Sequence, residues 1–213
     1  KKITKKTKAI LAVDIFGHPV NVVKIRKICK KYNLKFILDS AQSPYSKYKG
    51  KFSSEYADVA GYSFNYHKHI STGEGGVIVT SNRKIARKLQ LIRNHGEIVV
   101  EEKEKHNHHI LGFNFRLGEL EAAIGIEQLK KLKKIVREKQ DLANYLNKYL
   151  KKFKGIITPI TMKHYTHSYY GYGMRLDRNK IKTSKKTIDN FLKLNKLPIA
   201  TRYQSLYKAN ILR

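Results

Sequence analysis

The sequence has no tryptophan, one cysteine, four prolines, and only 16 acidic residues to set against 45 lysines and arginines. A single cysteine excludes disulfides within the chain, and Cys29, lying inside a helical pattern, reads as a small buried hydrophobe rather than a nucleophile. No apolar run approaches the ~20 residues of a membrane span. The basic opening is followed by only "AILAV" before Asp14, too short for a signal peptide. A cytoplasmic location is the expectation. The shortage of acid leaves a formal charge of +29, which raises either a footprint for nucleic acid or an anionic membrane, or a set of solvated lysine faces. The cations are mostly lysines, scattered from "KKITKK" through "QLKKLKKIVREK" to "KIKTSKK" at polar positions of amphipathic patterns. That spread favours solvated faces, and neither nucleic acid nor a membrane is the expected partner. The chain opens on Lys1 and stops at Arg213 just after "RYQSLYKANIL", and is expected to be a piece of a longer protein.

A hydrophobic content of 41% is enough for a substantial core. "AILAVDIFG", residues 9–17, is a nearly continuous apolar run closed by glycine, which predicts a strand buried on both faces of a parallel sheet. Pro19 suits a first helical turn, and Val22, Ile25, Cys29 and Tyr32 form one apolar stripe. "LKFILDSAQ", residues 34–42, is the next strand, so the unit is a right-handed βαβ crossover. "ADVAGYSF" (57–64) and "GGVIVT" (75–80) are further strands. A helix capped by Ser81 or Asn82 carries Ile85, Leu89 and Ile92 and ends at Gly96. From Leu117 to about Phe153 the pattern is helical almost throughout, the look of a helix joining two domains. A strand over "SYYGYGMRL" (168–176) and a helix over 184–196 would begin a smaller α+β domain. No internal repeat is present.

In open α/β sheets ligands bind beyond the carboxyl ends of the strands, where Asp39 with Gln42, and Ser63 with Lys68, are placed. A carboxylate at the end of a buried strand either pairs with a cation or a protonated ring nitrogen, or caps its own loop. Lys68 is followed within eight residues by Gly73, Gly75 and Gly76, where the backbone can approach a ligand closely. A desolvated lysine amine there could form a Schiff base; an exposed surface lysine is the alternative. No Walker pattern explains the glycines as a nucleotide phosphate loop. His67 and His69 flank the lysine, and His106, His108 and His109 cluster farther on, but neither set has carboxylate or thiolate company at a closed metal-site spacing, so no metal is expected.

"LDSAQ", "GYSFNYHKHISTGEGG", "RNHG" and "GFNFRLGELEAAIGIEQLKKL", in this order, resemble the DegT/StrS-type, pyridoxal phosphate (PLP)-dependent sugar aminotransferases of fold type I. The resemblance runs from about Ala9 to Leu150 and more faintly through "THSYYGYGMRL". It implies an α/β large domain with a mostly parallel central sheet over residues 1–135. Residues 136–213 would be an interdomain helix and the start of a smaller α+β domain. By the same resemblance Lys68 holds PLP covalently, Asp39 pairs with its pyridinium nitrogen, Gln42 packs beside its phenolic oxygen, and Ser63 contacts its phosphate. Asn114, with Arg116 beside it, reaches the phosphate from the neighbouring subunit of a homodimer with shared sites. The implied activity moves an amino group from an amino acid, glutamate being the expected donor, to a nucleotide-linked ketosugar.

Asn65 stands where the family usually has histidine, a change that spares both nucleophile and ring partner and leaves Asn65 and His69 lining the pocket. The family's N-terminal segment, with a further phosphate loop and a ring-stacking aromatic residue, would lie ahead of Lys1, so these residues alone are expected to bind PLP poorly. Two alternatives stand beside this. A sugar dehydratase using the pyridoxamine form shares the fold, but such relatives carry histidine at the position of Lys68. A non-catalytic regulatory or RNA-binding protein could use the basic surface instead.

Overall fold

The computed structural model describes residues 2–97 and 110–197. The histidines at 106, 108 and 109 and the closing "RYQSLYKANIL" lie outside them. Strand β1 (Ala9–Val13), helix α1 (Val22–Lys31) and strand β2 (Lys35–Asp39) form the expected crossover unit, the strands parallel with Val13 opposite Asp39. Pro19 is not in the first helical turn. Asn21 caps α1 by accepting the Lys24 N–H at 3.0 Å, an acceptor that the unpaired donors of the first turn require and proline lacks. The apolar run of residues 9–17 is strand only to Val13. Beyond it Asp14 is fully buried and Ile15–Gly17 form a tight turn, with Phe16 at φ 57°.

A hairpin of two short strands, β3 (Lys47–Tyr48) and β4 (Lys51–Phe52), precedes β5 (Val59–Ser63), and β6 (Gly76–Val79) follows. The main sheet runs β1-β2-β5-β6, and only the β5-β6 pair is antiparallel. Val22 and Cys29 of α1 form the core with Phe36 and Leu38 of β2 and Ala60 of β5. Each large side chain buried there contributes about 1.5–3 kcal/mol. On the other face Leu11 is 64% exposed and Val13 38%, so β1 is buried on one side rather than two. The alternation follows from α1 covering a single face.

Helix α2 (Arg83–Arg93) starts as expected at Asn82, which accepts the Ile85 N–H at 3.1 Å. It stops at Asn94, two residues before Gly96, whose N–H returns to the Leu91 carbonyl at 2.8 Å and closes the last turn. Helix α3 (Glu119–Leu150) carries Glu119 and Glu121 in its first turn, where the helix dipole favours negative charge. Among the described residues no helix is long and apolar enough to cross a membrane. The chain continues through β7 (Ile156–Ile157), β8 (Tyr165–Thr166), β9 (Arg175–Leu176) and α4 (Lys185–Leu194), whose cap Ser184 accepts the Thr187 N–H at 3.1 Å.

Most of "SYYGYGMRL" is not strand. β8 pairs with β3 instead, and β9 covers only Arg175 and Leu176. Between them the backbone is claimed by loops. The Ser168 N–H donates to the Gly17 carbonyl at 2.9 Å, the Gly171 N–H to the Phe16 carbonyl at 3.3 Å, and the Tyr169 N–H to Nδ1 of His167 at 3.0 Å. Gly17, at φ 96°, permits this approach, since a Cβ there would lie 2.6 Å from the Ser168 hydroxyl and 2.9 Å from the Tyr169 nitrogen.

Asp14 ties the loops together. Its Oδ1 accepts the Val20 N–H at 2.8 Å, and its Oδ2 accepts the Ser53 hydroxyl at 2.6 Å and the Ser43 hydroxyl at 3.1 Å. Burial pushes this carboxyl above its ordinary range, and the three donors, with the nearby His18, draw it partly back. In the full-length protein, Asp14→Leu would strand two buried hydroxyls and a part-buried N–H and should cost about 3 kcal/mol or more in urea unfolding. Asp14→Asn keeps an acceptor for Val20, and the serine hydroxyls can turn to meet its amide, so it should cost about 1 kcal/mol. Equal losses for the two would contradict the assigned role.

Candidate active site

The parallel strands end side by side. Residues in register across a parallel sheet project to one face, so Val13, Asp39 and Gly61 share a side, and Ser63 joins them two residues on. This is the face opposite α1. A Cβ added to Gly61 would meet nothing within 4 Å, so there is room beside Asp39. Asp39 Oδ1 accepts the Ala41 N–H at 2.9 Å, the loop-capping role, and a carboxylate retains acceptor capacity beyond one such bond. Gln42 Oε1 accepts the Phe16 N–H at 2.8 Å, fixing the loop after β2 to the turn after β1. The Ser63 hydroxyl accepts the Asn65 N–H at 3.2 Å and so turns the chain out of β5.

The loop carrying Lys68 closes on itself. Phe64 N–H donates to the Gly75 carbonyl and Thr72 N–H to the Phe64 carbonyl, at 2.9 and 3.0 Å, while the Lys68 N–H donates to the Asn65 carbonyl at 2.9 Å. Asn65 braces the interior, donating from Nδ2 to Glu74 at 2.8 Å and accepting the His67 N–H at 3.2 Å. Gly75, at φ 143°, has no space for a side chain: a Cβ would lie 2.8 Å from the Thr72 hydroxyl and 2.9 Å from Leu117. Lys68 is half-buried, and its amine lies 4.9 Å from the centroid of the Tyr170 ring.

His69 is buried beside it, with Nε2 2.7 Å from the Ser168 carbonyl. A carbonyl only accepts, so Nε2 carries the proton and Nδ1 is a buried acceptor without a partner. Burial lowers the His69 pKa to about 4; the Ser168 carbonyl opposes that, and the charges of Lys139 and Lys68 reinforce it. The ring is neutral at physiological pH.

Asp39, Gln42 and Ser63 thus gather at the strand ends, with Lys68 on the loop that follows β5. Asn114 is placed differently. It is exposed and bridges to Asn94 at the end of α2, where Arg116 Nη1 donates to Asn94 Oδ1 at 3.1 Å. Sequence reading missed Tyr170 and Asp14. The aromatic density of "YYGYG" was visible, but its reach back to Lys68 depends on a pairing 99 residues distant that no local pattern encodes. Among the described residues there is no group of three or more His, Cys, Asp or Glu side chains able to hold a metal ion.

Residues 1–211 match the model of the DegT/DnrJ/EryC1/StrS aminotransferase family. The chain is 37% identical to a UDP-4-amino-4,6-dideoxy-N-acetyl-beta-L-altrosamine transaminase of Helicobacter pylori over 67% of this chain and 38% of that protein. It is 35% identical to a GDP-perosamine synthase of Escherichia coli O157:H7 over 70% of this chain and 40% of that one. The solved structure of PseC from Helicobacter pylori, an aminotransferase involved in the biosynthesis of pseudoaminic acid, superposes with a TM-score of 0.90 at 29% identity. That superposition covers 99% of this chain and 56% of PseC. The chain therefore spans about half the length of the relatives it matches. With the fold-type I layout of a mostly parallel sheet and the lysine loop after β5, these matches establish that the chain belongs to the DegT/DnrJ/EryC1/StrS aminotransferase family.

Proposed function

We propose that the full-length protein is a PLP-dependent aminotransferase that transfers an amino group from an amino acid, glutamate for preference, to a nucleotide-linked ketosugar. One observation carries the reading: Asp39 and Ser63 share a sheet face with open space at Gly61 between them, and Lys68 lies on the very next loop. PLP fits this donor set, which offers an amine, a carboxylate for a ring nitrogen and a hydroxyl for a phosphate. When bound, it supplies an electrophilic aldehyde and a ring that accepts an electron pair from the amino donor's α-carbon.

Lys68 Nζ anchors the cofactor and, once displaced by the donor's amine, takes the proton from the donor's α-carbon. In the second half of the cycle the same nitrogen returns a proton to the carbon that was the ketosugar's carbonyl. Asp39 holds the ring nitrogen protonated by its negative charge. Gln42, fixed by Phe16, orients the ring, and Ser63 binds the phosphate. The amine at position 68 supports transamination over dehydration, because the dehydratase pattern has an imidazole there. Residues 1–135 form the cofactor-binding domain and the first half of α3, and residues 136–213 supply the rest of that interdomain helix and part of the small domain. A cytoplasmic location goes with this reading.

Asn114 completes the site of a partner subunit in a homodimer. Its exposure supports this, as do the exposed Leu111, Phe115 and Leu120 around it, which offer an apolar contact.

The full-length protein, incubated with glutamate and a panel of nucleotide-4-ketosugars, should yield an aminosugar by mass spectrometry. Asp39→Asn should reduce that yield per unit time by orders of magnitude with little change in unfolding midpoint. No product from any ketosugar, or near-normal turnover in the variant, would contradict the assignment. The shared site has its own test. Lys68→Ala and Asn114→Ala chains, each inactive alone, should recover activity when mixed, because one heterodimer site carries both lesions and the other neither. If subunits exchange and no activity returns, Asn114 serves its own chain.

A further inference from the structure

The segment after β8 reaches back to the lysine loop, and one side chain joins them. His69 Nε2 donates to the Ser168 carbonyl at 2.7 Å, and two residues beyond that carbonyl the Tyr170 ring sits 4.9 Å from the Lys68 amine, with the His69 ring 6.1 Å from it. We propose that His69 is a positioning residue for Lys68: its bond to the Ser168 carbonyl holds the 167–170 segment so that the Tyr170 ring faces the Lys68 amine.

The other supports of this segment fix its far side. Ser168 is held to Gly17 through its N–H, and its hydroxyl oxygen lies 3.0 Å from that of Ser46. The His167 carbonyl accepts Nε2 of Gln140, from α3, at 2.9 Å, and the His167 ring stacks on Tyr169 at 3.8 Å. Of these contacts, only the His69 bond ties the segment to the loop that bears Lys68. Tyr170 lies between Ser168 and Gly171, whose N–H groups both bond the turn after β1, so the segment keeps its own place and the His69 bond sets its distance from the lysine loop; without that bond the 4.9 Å separation can widen toward the ~6 Å limit over which a cation and a ring attract. His69 suits the task because its ring stays neutral. Burial most strongly, and with it the charges of Lys139 of α3 and of Lys68 on its own loop, disfavour a second proton, so Nε2–H donates without placing a second positive charge beside the Lys68 amine.

The consequence falls on the lysine. A ring face held against the end of the side chain covers it and shields it from reagents, giving the side chain a resting place when it is not bonded to a cofactor.

The inference rests on Lys68 being the reactive lysine, but its test needs neither cofactor nor substrate. In full-length protein freed of cofactor, the rate at which an amine-directed acylating reagent modifies Lys68 is followed by peptide mass spectrometry. Tyr170→Leu and His69→Phe should each raise that rate about threefold, the order of a partly exposed cation–ring contact. The double variant should be no faster than either single one, since both remove the same contact. His69→Gln, whose amide can donate to the same carbonyl, should modify at the wild-type rate. Additive effects in the double variant would show that His69 acts by loosening the loop and would overturn the proposal. A rate in His69→Gln as high as in His69→Phe would overturn it too. Should His69→Phe fail to fold, His69→Leu enters the same cycle and the His69→Gln comparison still decides. Failure of the aminotransferase reading would leave these rates unchanged and would appear separately, as absence of aminosugar product.

Discussion

Asp14 is a carboxylate with no exposure to water, and its two oxygens are satisfied by donors from three separate stretches of chain: Val20 before α1, Ser43 just after Gln42, and Ser53 beyond the β3-β4 hairpin. Each donor would be costly to bury alone, as would the carboxylate, and together they make one satisfied cluster. The loops that leave β1 and β2 are therefore joined at the end of the sheet where the candidate site lies. Gln42, one residue from Ser43, is then within reach of the Phe16 N–H, which it accepts.

A second network of hydroxyls carries the same constraint to the C-terminal part of the chain. Ser46 donates to the Gly17 carbonyl at 2.6 Å, its hydroxyl oxygen lies 3.0 Å from that of Ser168, and the Ser168 N–H reaches the same Gly17 carbonyl. The turn after β1 thus serves as a shared floor for the loop after β2 and for the 167–170 segment. From that floor the segment extends to His69 and Lys68, so the lysine loop is supported from outside its own strand. Buried serines suit these places because a hydroxyl can both donate and accept while occupying little volume.

The parallel unit was readable because hydrophobic runs and cap residues are local signals: "FILD" is a strand whatever surrounds it, and Asn82 caps α2 through a neighbour three residues on. The strand-end positions of Asp39, Gln42 and Ser63, and the loop position of Lys68, followed from the same signals together with the family resemblance. What escaped was set by distant partners. β1 looked buried on both faces because its run is unbroken, yet burial depends on what packs against it, and α1 covers one face only. "SYYGYG" has the composition of a strand, but Gly17 and Phe16 take the hydrogen bonds a neighbouring strand would need. Asp14 interrupts an apolar run and could have been suspected for that reason, though its donors lie as far away as Ser53.

The central claim is that Lys68 alone among the many lysines of this chain is the covalent anchor of the cofactor. Reduction of the purified full-length protein with borohydride, followed by proteolysis and peptide mass spectrometry, tests it directly. The account predicts a pyridoxyl adduct on the peptide containing Lys68, at near one per chain, and its disappearance in Lys68→Ala. A stoichiometric adduct on any other lysine, or one that persists in that variant, would contradict it.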